Sequence, residues 1–377
     1  MKKIKVLIVD DSAFMRKVIG DLLHADPELE VVGSAKNGLD ALEKISQLKP
    51  DVLTLDVEMP LMDGITTLAE IQKRFRLPVI MLSSQTTKGA QQTLIALEKG
   101  AFDFVTKPSG SISLDLHKVQ DELIEKLKCA YASGLARSAD RLSRPKRLIN
   151  SKKHSKAFNH RQNDGRHEGR QPVKSAVVQP TERTGGLKQL ILIGTSTGGP
   201  TALQRLFSSF PPDPLTAILV VQHMPPSFTA SLAKRLQHMT RHEVKEAEDG
   251  EMIAGGNIYI APGGLQMAIQ TFPTALHLHV YQGPPRGGHC PSVDVLYESA
   301  AAIAGLQLIT VTLTGMGKDG LEGLKTLTAS RDVYNIAEDA STCVVYGMPK
   351  AVIEAQLVDE VIPLDEIPAA LKRLTQS

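Results

Sequence analysis

The sequence contains no run approaching the ~18 consecutive apolar residues of a membrane-spanning helix. Its opening, MKKIKVLIVDD, is basic and then briefly apolar, but the apolar run ends at once in two aspartates. A secretory signal needs a longer apolar stretch and a small-residue cleavage site. Cysteine is scarce: Cys129, Cys290 and Cys343 are the only three in 377 residues, and their spacing suits neither a disulfide framework nor a zinc site. Membrane insertion, secretion and a disulfide scaffold are therefore excluded as expectations, and a reducing cytoplasm fits. Charge of one sign is also lacking, since the net charge is only +2.

That balance conceals an uneven distribution. Between Arg137 and Arg183 there are thirteen Lys/Arg and four Asp/Glu, leaving 30 basic and 37 acidic residues elsewhere. The basic stretch has one aromatic, Phe158, and few large aliphatics. It cannot bury enough apolar surface to offset the entropy of ordering, so residues 134–186 are expected to form a basic flexible linker. A solvated spacer is the commoner meaning of such a charge run. A nucleic-acid arm finds no helix-turn-helix or zinc pattern beside it, and no nucleic-acid partner is expected. The remainder is average in composition and long enough for two domains, 1–133 and 187–377.

Residues 1–133 alternate short Val/Ile/Leu runs (5–9, 30–35, 51–55, 79–83, 104–106) with helix-length stretches. Continuous apolar strands of this kind are those buried on both faces of a parallel sheet. Thr86–Lys99 ends at Gly100, and Asp115–Ala130 sets Leu116, Val119, Leu123 and Leu127 on one stripe. A doubly wound α/β domain with five parallel strands is expected. Residues 187–377 repeat the style, with strands at 189–194, 217–222 and 308–314. Closely spaced runs at 257–260, 265–269 and 276–281 predict a β-meander inserted into this second doubly wound α/β sheet. In such sheets ligands collect at the carboxyl ends of strands.

Asp10, Asp11, Asp56, Ser83 and Lys107 all fall at strand ends of the first half. Three carboxylates at one sheet edge repel each other and call for a cation, and hard oxygen ligands suit Mg²⁺. Lys107 adds fixed positive charge and Ser83 a hydroxyl. Such a site can move a phosphoryl group onto a carboxylate, because positioning and charge neutralisation are most of what that transfer needs. Asp56, at the middle strand end, is the best acceptor. A single aspartate such as Asp11 reads equally as a helix N-cap; the joint set, with Met59-Pro60 and the Asp63-Gly64 turn, does not.

In the second half a strand runs into Gly194-Thr195-Ser196-Thr197-Gly198 and then a helix. Gly-x-Ser-x-Gly between strand and helix is the nucleophile-elbow pattern. Ser196 would be the nucleophile, with the Thr197 N–H free to meet a developing oxyanion. A Gly-rich turn opening a helix can equally cradle a phosphate. Among eleven histidines, His223 alone follows an apolar strand at its carboxyl end; His154, His160 and His167 lie in the linker, and His277 and His279 alternate on a strand. Asp319, in Gly315-Met316-Gly317-Lys318-Asp319-Gly320 after another strand, can orient the imidazole. The order Ser–His–Asp differs from that of α/β-hydrolases, chymotrypsin and subtilisin.

The first constellation resembles a response-regulator receiver domain over residues 1 to ~125. The resemblance implies phosphorylation at Asp56 and Mg²⁺ held by Asp11, Asp56 and the Glu58 carbonyl with help from Asp10. It also implies Ser83 as switch hydroxyl, Phe104 or Val105 on the switch face, and a cis Lys107–Pro108 bond. The blocks GTSTGGP, VVQHMPPSFTASLAKRL, IYIAPGG, PSVDVLYESAA, TLTGMGKDG and CVVYGMPKAV resemble the catalytic domain of chemotaxis protein-glutamate methylesterases. That likeness implies Ser196, His223 and Asp319 as the triad, with Met316 joining Thr197 in the oxyanion hole. It further implies a phosphorylation-activated, cofactor-free carboxylic ester hydrolase that demethylates receptor glutamate methyl esters and deamidates receptor glutamines. The implied partners are methyl-accepting chemotaxis receptors and a chemotaxis histidine kinase, and the implied place is the cytoplasm, at receptor arrays on the inner membrane face. A receiver joined to a catalytically inactive regulatory domain is the alternative. Cys290, where the family usually has arginine, and Glu338, where glutamine is usual, depart from the pattern on what is expected to be the substrate side.

Overall fold

A computed structural model of the protein describes residues 2–108, 115–143 and 186–376. Most of the stretch read as linker lies outside the described residues. The first half is built from β1 (Ile4–Val9), α1 (Ala13–His24), β2 (Leu29–Ala35), α2 (Gly38–Leu48), β3 (Val52–Asp56), α3 (Gly64–Arg74), β4 (Val79–Ser83), α4 (Thr87–Glu98), β5 (Asp103–Thr106) and α5 (Asp115–Ser143). Its strands form one parallel sheet in the order β2-β1-β3-β4-β5. Val6, Leu7, Ile8, Val52, Leu53 and Ile80 are all buried, as continuous apolar strands between two helical layers must be. The helices start where the sequence offers caps. The side chains of Ser12, Asn37, Asp63 and Thr86 each accept the N–H three residues on. Helix α5 continues to Ser143, well past the stripe read at 115–130, of which Leu123 and Leu127 are buried. The Lys107–Pro108 bond is trans; among the described residues only Cys290–Pro291 is cis.

The second half adds β6 (Gln189–Thr195), α6 (Gly199–Ser209), β7 (Thr216–Gln222), α7 (Phe228–Met239), β8 (Glu243–Glu246), β9 (Asn257–Ile260), β10 (Gln266–Thr271) and β11 (Leu276–Tyr281). It continues with α8 (Val293–Ala300), β12 (Gln307–Thr312), α9 (Leu321–Ser330), β13 (Tyr334–Glu338), α10 (Met348–Glu354), β14 (Glu360–Ile362) and α11 (Ile367–Thr375). Seven strands form a parallel sheet in the order β14-β13-β12-β6-β7-β9-β8. The order reverses at β6, so the crevice beside its carboxyl end is the switch point where α/β sheets place ligands. The expected meander is a two-stranded antiparallel hairpin, β10–β11, and β9 instead pairs in parallel with β7 and β8. The burial patterns give the reason. Ile258, Tyr259 and Ile260 are buried as a sheet interior requires, whereas β10 and β11 keep exposed or half-exposed positions along their length. Sequence spacing alone does not reveal which partner a short apolar run will take.

The two halves pack on each other through α4, β5 and α5 of the first and α6, α7 and the 344–345 loop of the second. Phe104 of β5 stacks on Phe228 of α7 with centroids 4.6 Å apart and planes 10° apart, and both are buried. At the rim, Arg235 of α7 pairs with Glu98 of α4 through two guanidinium nitrogens. Among the described residues no helix is long and apolar enough to cross a membrane.

Candidate active site

Strand β6 ends at Thr195, and Gly198, at φ 83°, turns the chain into α6. A Cβ at Gly198 would lie 2.6 Å from Val344, and one at Gly199 would lie 1.9 Å from Gln222 Oε1, so both glycines are needed for this close approach. The elbow is tied from both sides. Ser196 N donates to the Thr314 carbonyl at 3.1 Å, Thr195 Oγ1 donates to the same oxygen at 2.9 Å, and Thr314 Oγ1 donates to the Thr197 carbonyl at 3.0 Å. Gln222 Nε2 bridges the carbonyls of Ser196 and His223 at 3.0 and 3.2 Å.

His223 sits just past β7. Its Nε2 is 2.7 Å from Asp319 Oδ2, and its buried Nδ1 has no hydrogen-bond partner. With Asp319 accepting the hydrogen bond of Nε2–H, the Nδ1 lone pair is the free base, which reverses the nitrogens of the chymotrypsin arrangement. The Ser196 hydroxyl makes no hydrogen bond among the described residues, while the His223 backbone N–H donates to the Thr195 carbonyl at 3.2 Å beside it. The His289 ring lies parallel to that of His223, 3.9 Å away and 5° tilted. Burial, with the charge of His223 adding to it, pushes His289 down to about 4. Burial alone would raise Asp319, but its bonds to His223, the Val293 N–H and the Ser292 hydroxyl hold it well below the usual carboxylate range. Two backbone donors, Thr197 N–H and Met316 N–H, make no hydrogen bond among the described residues. A hydroxyl, a free imidazole nitrogen with its carboxylate, and two unused N–H groups are the parts of acyl transfer through a serine ester.

A second cluster lies at the carboxyl edge of the first sheet. Ligand oxygens of Asp10, Asp11 and Asp56 lie within 4.8 Å of one another. Lys107 Nζ is 2.8 Å from both Asp10 Oδ2 and Asp56 Oδ2. Burial chiefly, and the charge of Asp10 after it, push Asp56 up to about 6 against the opposing pull of Lys107. Three hard carboxylates crowded together, two of them paired with one lysine, make a donor set that fits a divalent cation such as Mg²⁺. Glu58 N lies 3.4 Å from Asp56 Oδ1, while its carboxylate turns outward to Lys88. Ser83 is buried and bonded elsewhere: it accepts from Thr93 Oγ1 at 2.8 Å and donates to the Ser84 carbonyl at 3.3 Å.

A family model described as CheB methylesterase matches residues 191–371, and one described as response regulator receiver domain matches residues 6–117. A Geobacillus kaustophilus protein named protein-glutamate methylesterase/protein-glutamine glutaminase is 48% identical over 374 residues, covering 99% of each chain. The Bacillus subtilis protein of that name is 45% identical over 98% of this chain and 97% of its own. One from Pyrococcus horikoshii is 40% identical over all of this chain and 94% of its own. The chain belongs to this family.

Against the family's two-part plan, the contact between the halves stands out. Thr197 Oγ1 donates to Asp103 Oδ2 of β5 at 2.5 Å, with both residues buried. Lys126 of α5 sits 3.3 Å from the same carboxylate, 2.7 Å from Glu122 and over the Phe104 ring. Cys129 of α5 lies 3.1 Å from the Met316 sulfur, and Ser133 donates to the Val344 carbonyl at 3.2 Å. Both residues read as oxyanion-hole donors are thus touched by the receiver half. Sequence reading named Thr197 and Met316 but not Asp103, Lys126 or Cys129, which carry no motif of their own. It also missed Ser292 and Asp294 as partners of Asp319, although both lie in the block PSVDVLYESAA. Cys290 has its thiol 4.0 Å from the Gly283 carbonyl. Glu338 differs from its expected place: it is fully buried beneath the site, with Oε2 accepting the Thr314 N–H at 2.8 Å.

Proposed function

We propose that the protein is a phosphorylation-activated serine hydrolase that releases methanol from glutamate methyl esters and ammonia from glutamine amides on methyl-accepting chemotaxis receptors. The observation that carries it is the His223–Asp319 pair at 2.7 Å, with the His223 backbone N–H bonded to the Thr195 carbonyl beside Ser196, near two unused N–H donors. Ser196 Oγ attacks the ester or amide carbonyl, and His223 Nδ1 takes its proton and passes it to the leaving methanol or ammonia. Water then attacks the acyl-enzyme by the reverse proton path. The Thr197 and Met316 N–H groups receive the oxyanion; one such donor is worth about 3 kcal/mol of barrier. The His223–Asp319 pair, held at 2.7 Å, supports the active reading over the inactive alternative.

Asp56 is proposed as the phosphoryl acceptor from a chemotaxis histidine kinase, with Asp11, Asp56 itself and the Glu58 carbonyl as holders of Mg²⁺, helped by Asp10. When bound, that ion neutralises charge on the transferring group. Lys107 binds a phosphoryl oxygen, and Ser83 leaves Thr93 to bond another. Before phosphorylation the receiver half, residues 1–133, closes over the catalytic half, residues 187–377, and restrains Thr197 and Met316. The proposed place of action is the cytoplasm, at receptor arrays. The test is Ser196→Ala in the full chain given methylated receptor, Mg²⁺ and an acyl-phosphate donor. Methanol release falls by several orders of magnitude while the fold is retained; release near the wild-type rate would sink the triad assignment.

A further inference from the structure

Helices α8 and α9 begin against each other, and each caps the other. Asp319, one residue before the α9 cap, sits at the start of α8. There it accepts the Ser292 hydroxyl at 2.8 Å, the Val293 N–H at 2.7 Å and the Asp294 N–H at 3.2 Å. Asp294, in the first turn of α8, sits at the start of α9. Its Oδ1 accepts the N–H of Gly320 at 2.9 Å and of Gly323 at 2.7 Å. Each carboxylate therefore satisfies N–H groups that its neighbour's helix leaves open, at the end where negative charge is favoured. The two backbones meet at glycine distance. A Cβ on Gly323 would lie 2.6 Å from the Asp294 carbonyl oxygen, and one on Gly320 would lie 2.9 Å from Val293. Val293 also fills the space beside the elbow, since a Cβ on Gly194 would lie 2.5 Å from its Cγ1.

The exchange has a consequence for the base. Asp319 can aim its Oδ2 at His223 only while residues 319–320 stay docked on α8, and Asp294 is the side chain that fixes Gly320 there. We infer that Asp294 is a positioning residue for hydrolysis, holding the loop of Asp319 so that the carboxylate stays on His223, with Ser292 closing the clamp from the donor side. This rests on the triad reading given above and adds to it two residues with no contact to the serine. The ionisable groups around Asp319 are His223, with His289 stacked on it, Asp294 and the buried Tyr297.

The experiment uses the full chain, activated by Mg²⁺ and an acyl phosphate, hydrolysing methylated receptor across pH. Asp294→Ala lowers kcat by about 10- to 100-fold, the cost of a small misplacement of an orienting group, with KM within about twofold. A displaced Asp319 favours the imidazolium of His223 less, so the acid limb of the kcat profile moves to lower pH. Loss of folded protein alone would scale the profile without moving that limb. Asp294→Asn keeps the oxygen that accepts both N–H groups and stays within about threefold of wild type. Ser292→Ala removes one donor to Asp319 without touching the α9 cap. It lowers kcat by about tenfold, with the same limb shift, and carries the test should Asp294→Ala not fold. An unmoved acid limb in both Asp294→Ala and Ser292→Ala, or Asp294→Asn as impaired as Asp294→Ala, overturns the clamp. Ser196→Ala in the same assay separates the readings: activity surviving there refutes the triad itself, whereas activity lost there and kept in Asp294→Ala refutes only the clamp.

Discussion

Replacing Asp103 by alanine should switch the enzyme partly on without phosphate. Asp103 makes two kinds of bond. Its Oδ1 accepts the Phe104 N–H at 2.8 Å within the receiver half, a bond lost equally whether the halves are together or apart. Its Oδ2 accepts the Thr197 hydroxyl at 2.5 Å, a bond that exists only when the halves are packed. Lys126 keeps Glu122 at 2.7 Å when Asp103 is gone, so no cation is stranded. The closed form therefore loses one buried charge-assisted hydrogen bond, about 1.5–3 kcal/mol. That shifts the closed-to-open ratio by about 10- to 150-fold. The assay is the initial rate of methanol release by the full chain without phosphodonor. Its ceiling is the rate of a fragment beginning at Gly186, which should exceed the unphosphorylated full chain and ignore acyl phosphate. Glu98→Ala is the control, because its pair with Arg235 is partly exposed. Such a rim ion pair contributes about 0.2–1 kcal/mol, so the rate should rise by no more than about fivefold. An unchanged basal rate in Asp103→Ala, alongside a faster fragment, would refute the idea that this bond holds the closed form. A folded fragment slower than the intact protein would refute blocking altogether.

Asp56→Ala should take no phosphoryl group from kinase or acyl phosphate, and chelation of divalent cations should block labelling of the wild type; basal hydrolysis should persist, and label retained in the variant would move the acceptor elsewhere. Glu338→Gln should change stability with a definite sign. Burial raises the folded-state pKa of Glu338 above its unfolded value, so its contribution is full at low pH and is lost as pH rises through the folded value. The melting temperature of the variant minus that of the wild type should grow as pH rises from the ordinary glutamate range, and a flat difference would contradict the buried carboxyl.

Much of this was legible in the sequence because the chemistry sits where the fold puts it. Asp10, Asp56, Ser83 and Ser196 each end or directly follow an apolar run, and the parallel sheets gather those ends. His223 and Asp319 were found by the same rule, and they meet at 2.7 Å. What was not legible depends on packing between segments far apart in the chain. Nothing local in NIYI says that it pairs with β7 and β8 rather than with the next hairpin. Asp103 reads as an ordinary strand-edge acid until Thr197, 94 residues on, is placed against it. Asp294 reads as a favourable first-turn acid of α8, and only the docking of α9 shows it capping another helix.

Strand β5 joins the two sites. Lys107, immediately after it, holds Asp56 at 2.8 Å, and Asp103, its first residue, holds Thr197 at 2.5 Å. Between them Phe104 stacks on Phe228 and gives its carbonyl to Lys126. Four strand residues span only about 13 Å. In the proposed phosphorylated state the group on Asp56 would draw on Lys107 and on Ser83, whose neighbour in the sheet is Thr106. Any adjustment of that pair would therefore be applied at one end of a strand whose other end is bonded to Thr197. The strand, at the edge of its sheet, is buried throughout between β4 and the catalytic half, which favours its shifting as a unit. Coupling by the proposed route needs no long relay: the contact to Thr197 and the contact to Asp56 are made by opposite ends of one short element.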